Sequence, residues 1–327
     1  MRDVIVDIDV ITDAVALACR APSLHNSQPW RWVSEGPVVS LFLDDARTPK
    51  LTDPTGRELL ISCGAALDHF RVAMAAAGWT CNVDRFPNPN NRDHLASVDF
   101  TPIDFVTEAH RRRADAIARR RTDRLPYARP ADWDVFLGTI SRGVGSNGVS
   151  VFAIGDARQP ELVRASELTR AARLYDSGYH AELVGWTSEV AVAEGIPEGT
   201  LPSDAESKRV AIGRDFPVAA HADRRRDISD DDAEVVVLST EDCTRDSRVR
   251  CGELLSSILL DATMAGLATC TLSHLTEVPA SREIVRQLTG SESTPELLVR
   301  IGSAPAPDDI AVPTPRRRVT DVLEIRR

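Results

Sequence analysis

Residues 21–32, APSLHNSQPWRW, concentrate side chains that could hold a ligand. Pro22 and Pro29 bound a loop of Ser23, His25, Asn26, Ser27 and Gln28, polar throughout except for Leu24. Proline fixes φ and removes a donor, so a loop bounded by two prolines holds its shape at low entropic cost. Trp30 and Trp32 follow on alternate positions of an expected strand. A rigid edge of amides and hydroxyls beside a large apolar surface suits a flat heteroaromatic ligand with donors and acceptors on its rim. The plainer alternative is a polar helix-to-strand turn with core tryptophans behind it.

A second chemistry lies in the arginines. Triplets stand at 111–113, 119–121, 224–226 and 316–318. Most charge runs are solvated faces, and those at 111–113 and 224–226 are read that way. The run at 119–121 closes an expected helix beside Thr122 and Arg124. Guanidinium groups bind a phosphate monoester bidentately, and Thr122 offers a hydroxyl donor. The triplet at 316–318, on an extended arm, could close the same cup from the far side. There is no Gly-x-x-x-x-Gly-Lys loop, which excludes a P-loop NTPase. Residues 143–148, GVGSNG, fit G-x-G-x-x-G only formally: they follow an expected helix and precede a strand, the reverse of a dinucleotide fingerprint. Ser23 and His25 do not make a hydrolase, because no G-x-S-x-G elbow exists and two residues so close form no triad. His25 and His274 are read as structural histidines.

Composition narrows the rest. The chain has 327 residues, 43% hydrophobic, enough for one large domain or two ordinary ones. A net charge of −10 and a pI near 5.3 argue against nucleic acid as the main partner. Six scattered cysteines, without metal-ligand spacing or a secretion signal, read as reduced, buried thiols of a cytoplasmic protein. No apolar run is read as a membrane span.

Periodicity places helices over 8–20, 57–78, 104–121 and 133–140, and one long or kinked helix over 160–188. Strands are expected at 30–33, 38–44, 81–86, 95–100 and 149–154. Residues 195–233 are rich in Gly, Pro and charge, the composition of a lid or a disordered linker, with a capping box at Ser203-Asp204-Ala205-Glu206. The tail from 303 to 327 carries four prolines and reads as an extended arm wrapping over another part of the molecule.

The long helix has an echo. Cys63-Gly64, Leu67 and Ala77-Gly78 recur as Cys251-Gly252, Leu255 and Ala265-Gly266, at a constant offset of 188. Thr80-Cys81 and Thr269-Cys270 follow, and a β-rich run precedes each copy. The second copy is apolar nearly all round, so burial is expected on every side. Two such helices packed together make a seam between similar halves: a fused pseudo-dimer of residues 1–103 and 104–327, the second carrying the lid at 195–233 and the arm at 303–327.

These residues meet a known pattern. Ala21-Pro22-Ser23…Asn26…Gln28-Pro29-Trp30 resembles the A-P-S-x-x-N-x-Q-P-W stretch of FMN-dependent nitroreductases, and Arg120-Arg121-Thr122-Asp123-Arg124 resembles their R-R-S-x-R phosphate motif. The run from Ala265-Gly266 to Pro305 resembles their C-terminal helix and strand. The arrangement is most similar to the Acg-type NAD(P)H nitroreductases, single chains with two nitroreductase-like halves. The resemblance implies an α+β fold, a mixed sheet flanked by helices. It implies FMN as cofactor, its phosphate on Arg120, Arg121, Thr122 and Arg124 with Arg316 and Arg317 from the arm. Pro22, Ser23, Leu24 and Asn26 would approach the isoalloxazine from the other half, and the turn near Thr271 and Leu272 would approach flavin N5. Each half keeps part of the kit, so one FMN per chain is expected, in a monomer that mimics a homodimer. The implied function is NAD(P)H-dependent reduction of nitro compounds or quinones at a small aromatic acceptor site, with no catalytic side chain and no metal. The rival is a lidded protein that sequesters FMN with little or no turnover. Both predict bound flavin.

Overall fold

The computed structural model describes residues 5–143, 148–187, 194–217, 222–305 and 314–326. In chain order the elements are α1 (Ile8–Ala18), β1 (Trp30–Glu35), β2 (Val38–Leu43), α2 (Arg57–Ala76), β3 (Trp79–Arg85), β4 (His94–Pro102) and α3 (Glu108–Arg119). Then come α4 (Trp133–Gly143), β5 (Val149–Ile154), α5 (Gln159–Arg173), α6 (Ser177–Thr187), α7 (Asp204–Lys208) and β6 (Glu234–Thr240). The chain continues through α8 (Arg245–Met264), β7 (Ala268–Leu272), α9 (His274–Glu277), α10 (Pro279–Thr289), β8 (Thr294–Gly302), α11 (Val319–Val322) and β9 (Leu323–Arg326). The fold is α+β.

The chain divides into two compact units. The first takes Met1–Arg120, Thr244–Leu260 and Pro315–Arg327; the second takes Arg121–Cys243 and Asp261–Thr314. The first unit therefore runs past residue 103, because α3 packs on α2 and Arg113 donates to Ser257 Oγ at 2.8 Å.

The first unit's sheet runs β3-β4-β2-β1-β9. β1 and β2 form a hairpin closed at Gly36, whose φ of 57° suits a residue without Cβ. The arm ends as β9, parallel to β1. Trp30 and Trp32 point to one face of β1 and are fully buried, with the Trp32 ring 4.9 Å from that of Phe70. The indoles thus build the core and offer no apolar surface to a ligand, against the expectation from the opening loop. The alternation of a half-buried strand sends both the same way.

Helix α2 begins without a capping side chain at Gly56; Asp53 serves instead. Its carboxylate accepts the amides of Arg57, Glu58 and Leu59 at 2.9, 2.8 and 3.1 Å, setting an anion on the positive end of the helix. Asp53→Ala is expected to cost about 2 kcal/mol, the upper end for a lost cap, since three amides lose one acceptor. A thermal midpoint equal to wild type would refute that role. Among the described residues α2 alone is long and apolar enough to cross a membrane, contrary to the sequence reading. Of its most apolar window 78% is buried, so it is a core helix.

Within the first unit α2 crosses the start of α8 at the repeated glycines. A Cβ on Gly64 would stand 2.0 Å from the Val249 carbonyl oxygen, and one on Gly252 would stand 2.0 Å from that of Ile61. Residues 61 and 249, like 64 and 252, differ by the offset of 188, so the two clashes are mirror copies. Asp68 accepts a hydrogen bond from Ser256 Oγ at 2.6 Å, again across that offset. Contacts of residue i with the counterpart of j, and of j with the counterpart of i, characterise a two-fold interface.

The second unit's sheet runs β5-β6-β8-β7, antiparallel throughout. Its order repeats β1-β2-β4-β3, with α8 between β6 and β7 where α2 lies between β2 and β3. Even the irregularities match. Pairing slips between Leu41 and Phe42 in one sheet and between Leu238 and Ser239 in the other, each two residues from its strand's end.

Local differences from expectation have local causes. The helix expected over 104–121 starts at Glu108, where Thr107 and His110 form a capping box. The helix expected over 160–188 is two, because Asp176 Oδ1 accepts the Tyr179 amide at 3.0 Å and starts α6 afresh. Residue 188 lies outside the described residues. So do 144–147 of the glycine run, which begins as α4 ends and gives way to β5, in the order that disfavours a dinucleotide loop. Much of the tail, 306–313, also falls outside them.

Candidate functional site

In the first unit the loop between α1 and β1 carries three of the four non-glycine residues with positive φ among the described residues: His25 at 50°, Asn26 at 58° and Gln28 at 52°. Such backbone costs about 1–3 kcal/mol per residue and persists where the surroundings over-determine it. Here they do. Ser23 Oγ accepts the Gln28 amide at 3.0 Å, Ser62 Oγ the Leu24 amide at 3.2 Å, and the Ser27 carbonyl accepts from Arg47 at 2.5 Å. The arm adds two struts. Asn26 Nδ2 donates to the Pro315 carbonyl at 3.1 Å, and the Arg317 amide to Gln28 Oε1 at 2.8 Å. Pro22, Ser23 and Leu24 stay half-buried, while His25 and Asn26 are buried. His25 Nε2 lies 3.4 Å from Thr52 Oγ1, in keeping with a structural histidine.

The C-terminus of α1, where this loop begins, gathers arginines. Arg120 donates to the Arg20 carbonyl at 3.0 Å, and Arg316 donates to the carbonyls of Cys19 and Arg20 at 2.9 and 3.3 Å. A helix C-terminus offers about half an elementary negative charge, too little to balance guanidinium groups in number. Arg120 is 5% exposed, no carboxylate among the described residues lies within ion-pair distance of it, and its buried Nε has no acceptor. Burial, then the charge of Arg20, pushes its pKa down to about 10. Burial, with Arg120 and Arg20, pushes that of Arg316 down to about 9. His69 on α2 is fully buried beside the same three charges and sits far below the ordinary imidazole range, burial being the main cause. Arg317 is differently placed, its guanidinium 3.7 Å from Asp44. Sequence reading missed Arg20 and His69: neither stands in a motif, and only the position of Arg20 in the last turn of a helix before the polar loop could have pointed to it.

The second unit brings other expected residues together. Thr122 bridges Thr269 in β7, and burial lowers the pKa of Arg124, which lies close to Cys270 and Tyr127. The turn after β7 follows directly, Thr271 half-buried and Leu272 in the core. Arg121 is exposed. The described parts of 195–233 are no disordered linker. The capping box forms, with Ser203 and Glu206 bonded both ways. Arg224 donates to Glu206 at 3.1 Å, and Arg209 to Asp223 at 2.7 Å. Arg225 is buried against Asp123 and donates to the Pro126 carbonyl at 2.8 Å, while Asp231 pairs with buried Arg300. Arg224 and Arg225 are therefore bonded into the segment rather than solvated, while Arg226 is exposed as expected. Phe216 lies under the Arg124 guanidinium, 5.2 Å from ring centre to Cζ, and Arg214 reaches Ser273 Oγ at 3.0 Å. Arg113, too, is bonded rather than free surface.

None of the six cysteines forms a disulfide. Cys19, Cys63, Cys251 and Cys270 are buried as expected, but Cys81 is half-buried and Cys243 exposed. Burial drives Cys19 to about 11, which makes it inert. Among the described residues no cluster of His, Cys, Asp and Glu could hold a metal ion.

Two sheets of one repeated strand order, the first made mixed by the parallel β9, a strained Pro-bounded polar loop and a buried cation cluster characterise this α+β protein. The "Putative NAD(P)H nitroreductase acg" of Mycobacterium tuberculosis is 58% identical over 326 residues, covering 100% of this chain and 98% of that protein. The "Putative NAD(P)H nitroreductase Rv3131" of the same organism is 35% identical, covering 97% of this chain and 92% of its own length. The chain belongs to this Acg-type NAD(P)H nitroreductase family. No protein-family model matches it. The FMN-dependent nitroreductase NfnB of Mycobacterium smegmatis, solved with NADPH, aligns at 17% identity over 67% of this chain and 100% of its own, with a TM-score of 0.42.

Proposed function

We propose that the chain binds one FMN and is an NAD(P)H-dependent reductase of nitro compounds or quinones. The observation that carries the reading is the buried Arg120, with its orphan Nε and no carboxylate beside it, next to the Pro22–Pro29 loop. A phosphate monoester, close to dianionic at neutral pH, supplies the acceptors and the charge that this guanidinium lacks. Arg120, Arg316 and Arg20 would hold it. Ser23, Leu24 and Asn26 would present the loop edge to the ring system, Pro22 fixing its start and Arg317 bracing Gln28. In the second unit, Arg121, Thr122, Arg124, Thr271 and Leu272 are nominated as FMN contacts by the family motif alone. Bound FMN would supply the redox chemistry, and the chain's own groups position it and neutralise its phosphate. The repeated sheet order and the two-fold glycine contact support a monomer descended from fused halves. Cysteines without disulfides fit a reducing compartment, which we take to be the cytoplasm.

A second reading, FMN storage with little turnover, draws on the ordered segment of the second unit. Phe216 occupies the face of Arg124, and Arg214 the hydroxyl of Ser273, both beside residues assigned to the flavin. Such a lid would keep nicotinamide from the ring. Anaerobic NADH or NADPH added to the purified yellow protein separates the two. Prompt bleaching of the flavin band is expected of the reductase; an unbleached band, with free FMN reduced in a control, would leave storage standing. Two FMN per chain would contradict the single-site reading.

A further inference from the structure

The second unit holds a half-open cavity of about 60 Å³ lined by Ser166, Arg170 and Arg173 of α5, Tyr179 of α6, Arg214, and His274 at the start of α9. A water needs roughly 10–15 Å³ of such space, so there is room for a polar group several atoms across. Its lining has donors in excess. Tyr179 accepts a hydrogen bond from Arg214 at 2.7 Å, which leaves its own hydroxyl hydrogen unused. Ser166 is 2% exposed and makes no side-chain hydrogen bond within the described residues. Arg173 Nε is buried without an acceptor, and both ring nitrogens of His274, 4% exposed, are buried without a partner.

Each arginine of the lining has a carboxylate partner, and one of these, Asp215, itself lines the cavity. Arg170 pairs with Asp215 at 2.6 Å, Arg173 with Asp176 at 3.0 Å, and Arg214 with Glu277. Neutrality therefore needs no further anion, but the donors need an acceptor. Burial, then Arg214 and Arg170, hold His274 neutral, so its ring keeps one N–H to give. A buried donor left unpaired costs about 1–3 kcal/mol, and Arg173 Nε and the His274 ring are two such groups, while the hydroxyls of Ser166 and Tyr179 line the same cavity.

We propose that this cavity is a binding site for a small oxyanion, a carboxylate or a phosphoryl group, held by Ser166, Arg173, Tyr179 and His274. It does not depend on the flavin assignment. The ligand is a free anion or the terminal group of a larger metabolite, and its entry satisfies donors that the protein leaves open.

The test uses FMN-loaded protein, so that phosphate does not compete for the cofactor's own site. Inorganic phosphate and acetate are titrated separately by calorimetry, and the His274 ring is followed by NMR, assigned with His274→Gln. Saturable binding of one anion is expected, with the His274 signals moving along the same isotherm. Tyr179→Phe with Ser166→Ala, which keeps the shape of the lining, should weaken that binding about ten- to a hundredfold, the worth of hydrogen bonds to a charged group. Flavin content should not change. No saturable binding of either anion, binding without movement of His274, or equal affinity in the double variant would overturn the assignment. Loss of FMN from the double variant would assign the cavity to the flavin site and overturn it as a separate one. If free phosphate and acetate both bind only at the affinity of nonspecific salt, the site likewise falls.

Discussion

Gly64→Ala lowers the thermal midpoint by about 10 °C or more, although alanine is the better helix former by about 1 kcal/mol. Propensity alone would make the substitution stabilising. Packing reverses the sign, because the new Cβ meets the Val249 carbonyl oxygen at 2.0 Å. That oxygen belongs to helix backbone and has no rotamer to escape into. Relief requires α2 and α8 to part by about 1 Å, judged against a 3.0 Å floor for such contacts. Parting opens gaps along a crossing where Cys63, Leu67, Cys251 and Leu255 are all nearly or fully buried. Overpacking against side chains costs about 1–3 kcal/mol, and immovable backbone raises this to about 4. At about 2–4 °C per kcal/mol for chains of this order, the shift follows. Gly252→Ala should do the same for the same reason. The double variant is the sharper check: once the helices have parted for one methyl they have parted for both, so its cost falls well short of the sum. A midpoint within error of wild type in Gly64→Ala, read by circular dichroism, would refute the crossing.

That crossing is legible in the sequence, because Cys-Gly, Leu and Ala-Gly recur at a fixed offset and a helix apolar all round must be covered. Strands β1 to β5 were equally plain from alternation and turns. What escaped the sequence was the fate of polar groups. Trp30 and Trp32 sit in the right strand, but nothing local says whether an indole faces a ligand or Phe70. Arg225 belongs to a run that reads as solvated, yet Asp123, distant in sequence, buries it. Residues 195–233 have little periodic structure because their order comes from long-range ion pairs to Asp123 and Glu277 and a hydrogen bond to the Pro126 carbonyl, which no window of sequence contains. The Pro-bounded loop is recognisable by composition, while its three left-handed residues are not: Asn26 and His25 are of types enriched in that region, but Gln28 is not.

Arg120→Met strips the protein of most of its FMN while leaving the fold as stable as before, or more so. The two halves of this expectation come from one geometry. A structural buried arginine is paired, and removing it strands a carboxylate at a cost of about 3–5 kcal/mol. Arg120 has no such partner; its neighbours are Arg20 and Arg316, and its pKa is already depressed to about 10 by burial and by Arg20. Replacing it with an apolar side chain of similar reach removes a desolvated charge and a repulsion. The one hydrogen bond lost, to the Arg20 carbonyl, is backed by Arg316 on the same oxygen. Against a phosphate the balance is opposite: losing a charge-assisted donor weakens binding by about ten- to a hundredfold. Arg316→Met should weaken FMN similarly but cost some stability, since its Nε also holds the Cys19 carbonyl at 2.9 Å. Flavin absorbance per chain after gel filtration, set beside the thermal midpoint of the apoprotein, reads both quantities. A variant that keeps its flavin would place the phosphate elsewhere, and one that loses flavin only by unfolding would reduce Arg120 to a structural cap on α1.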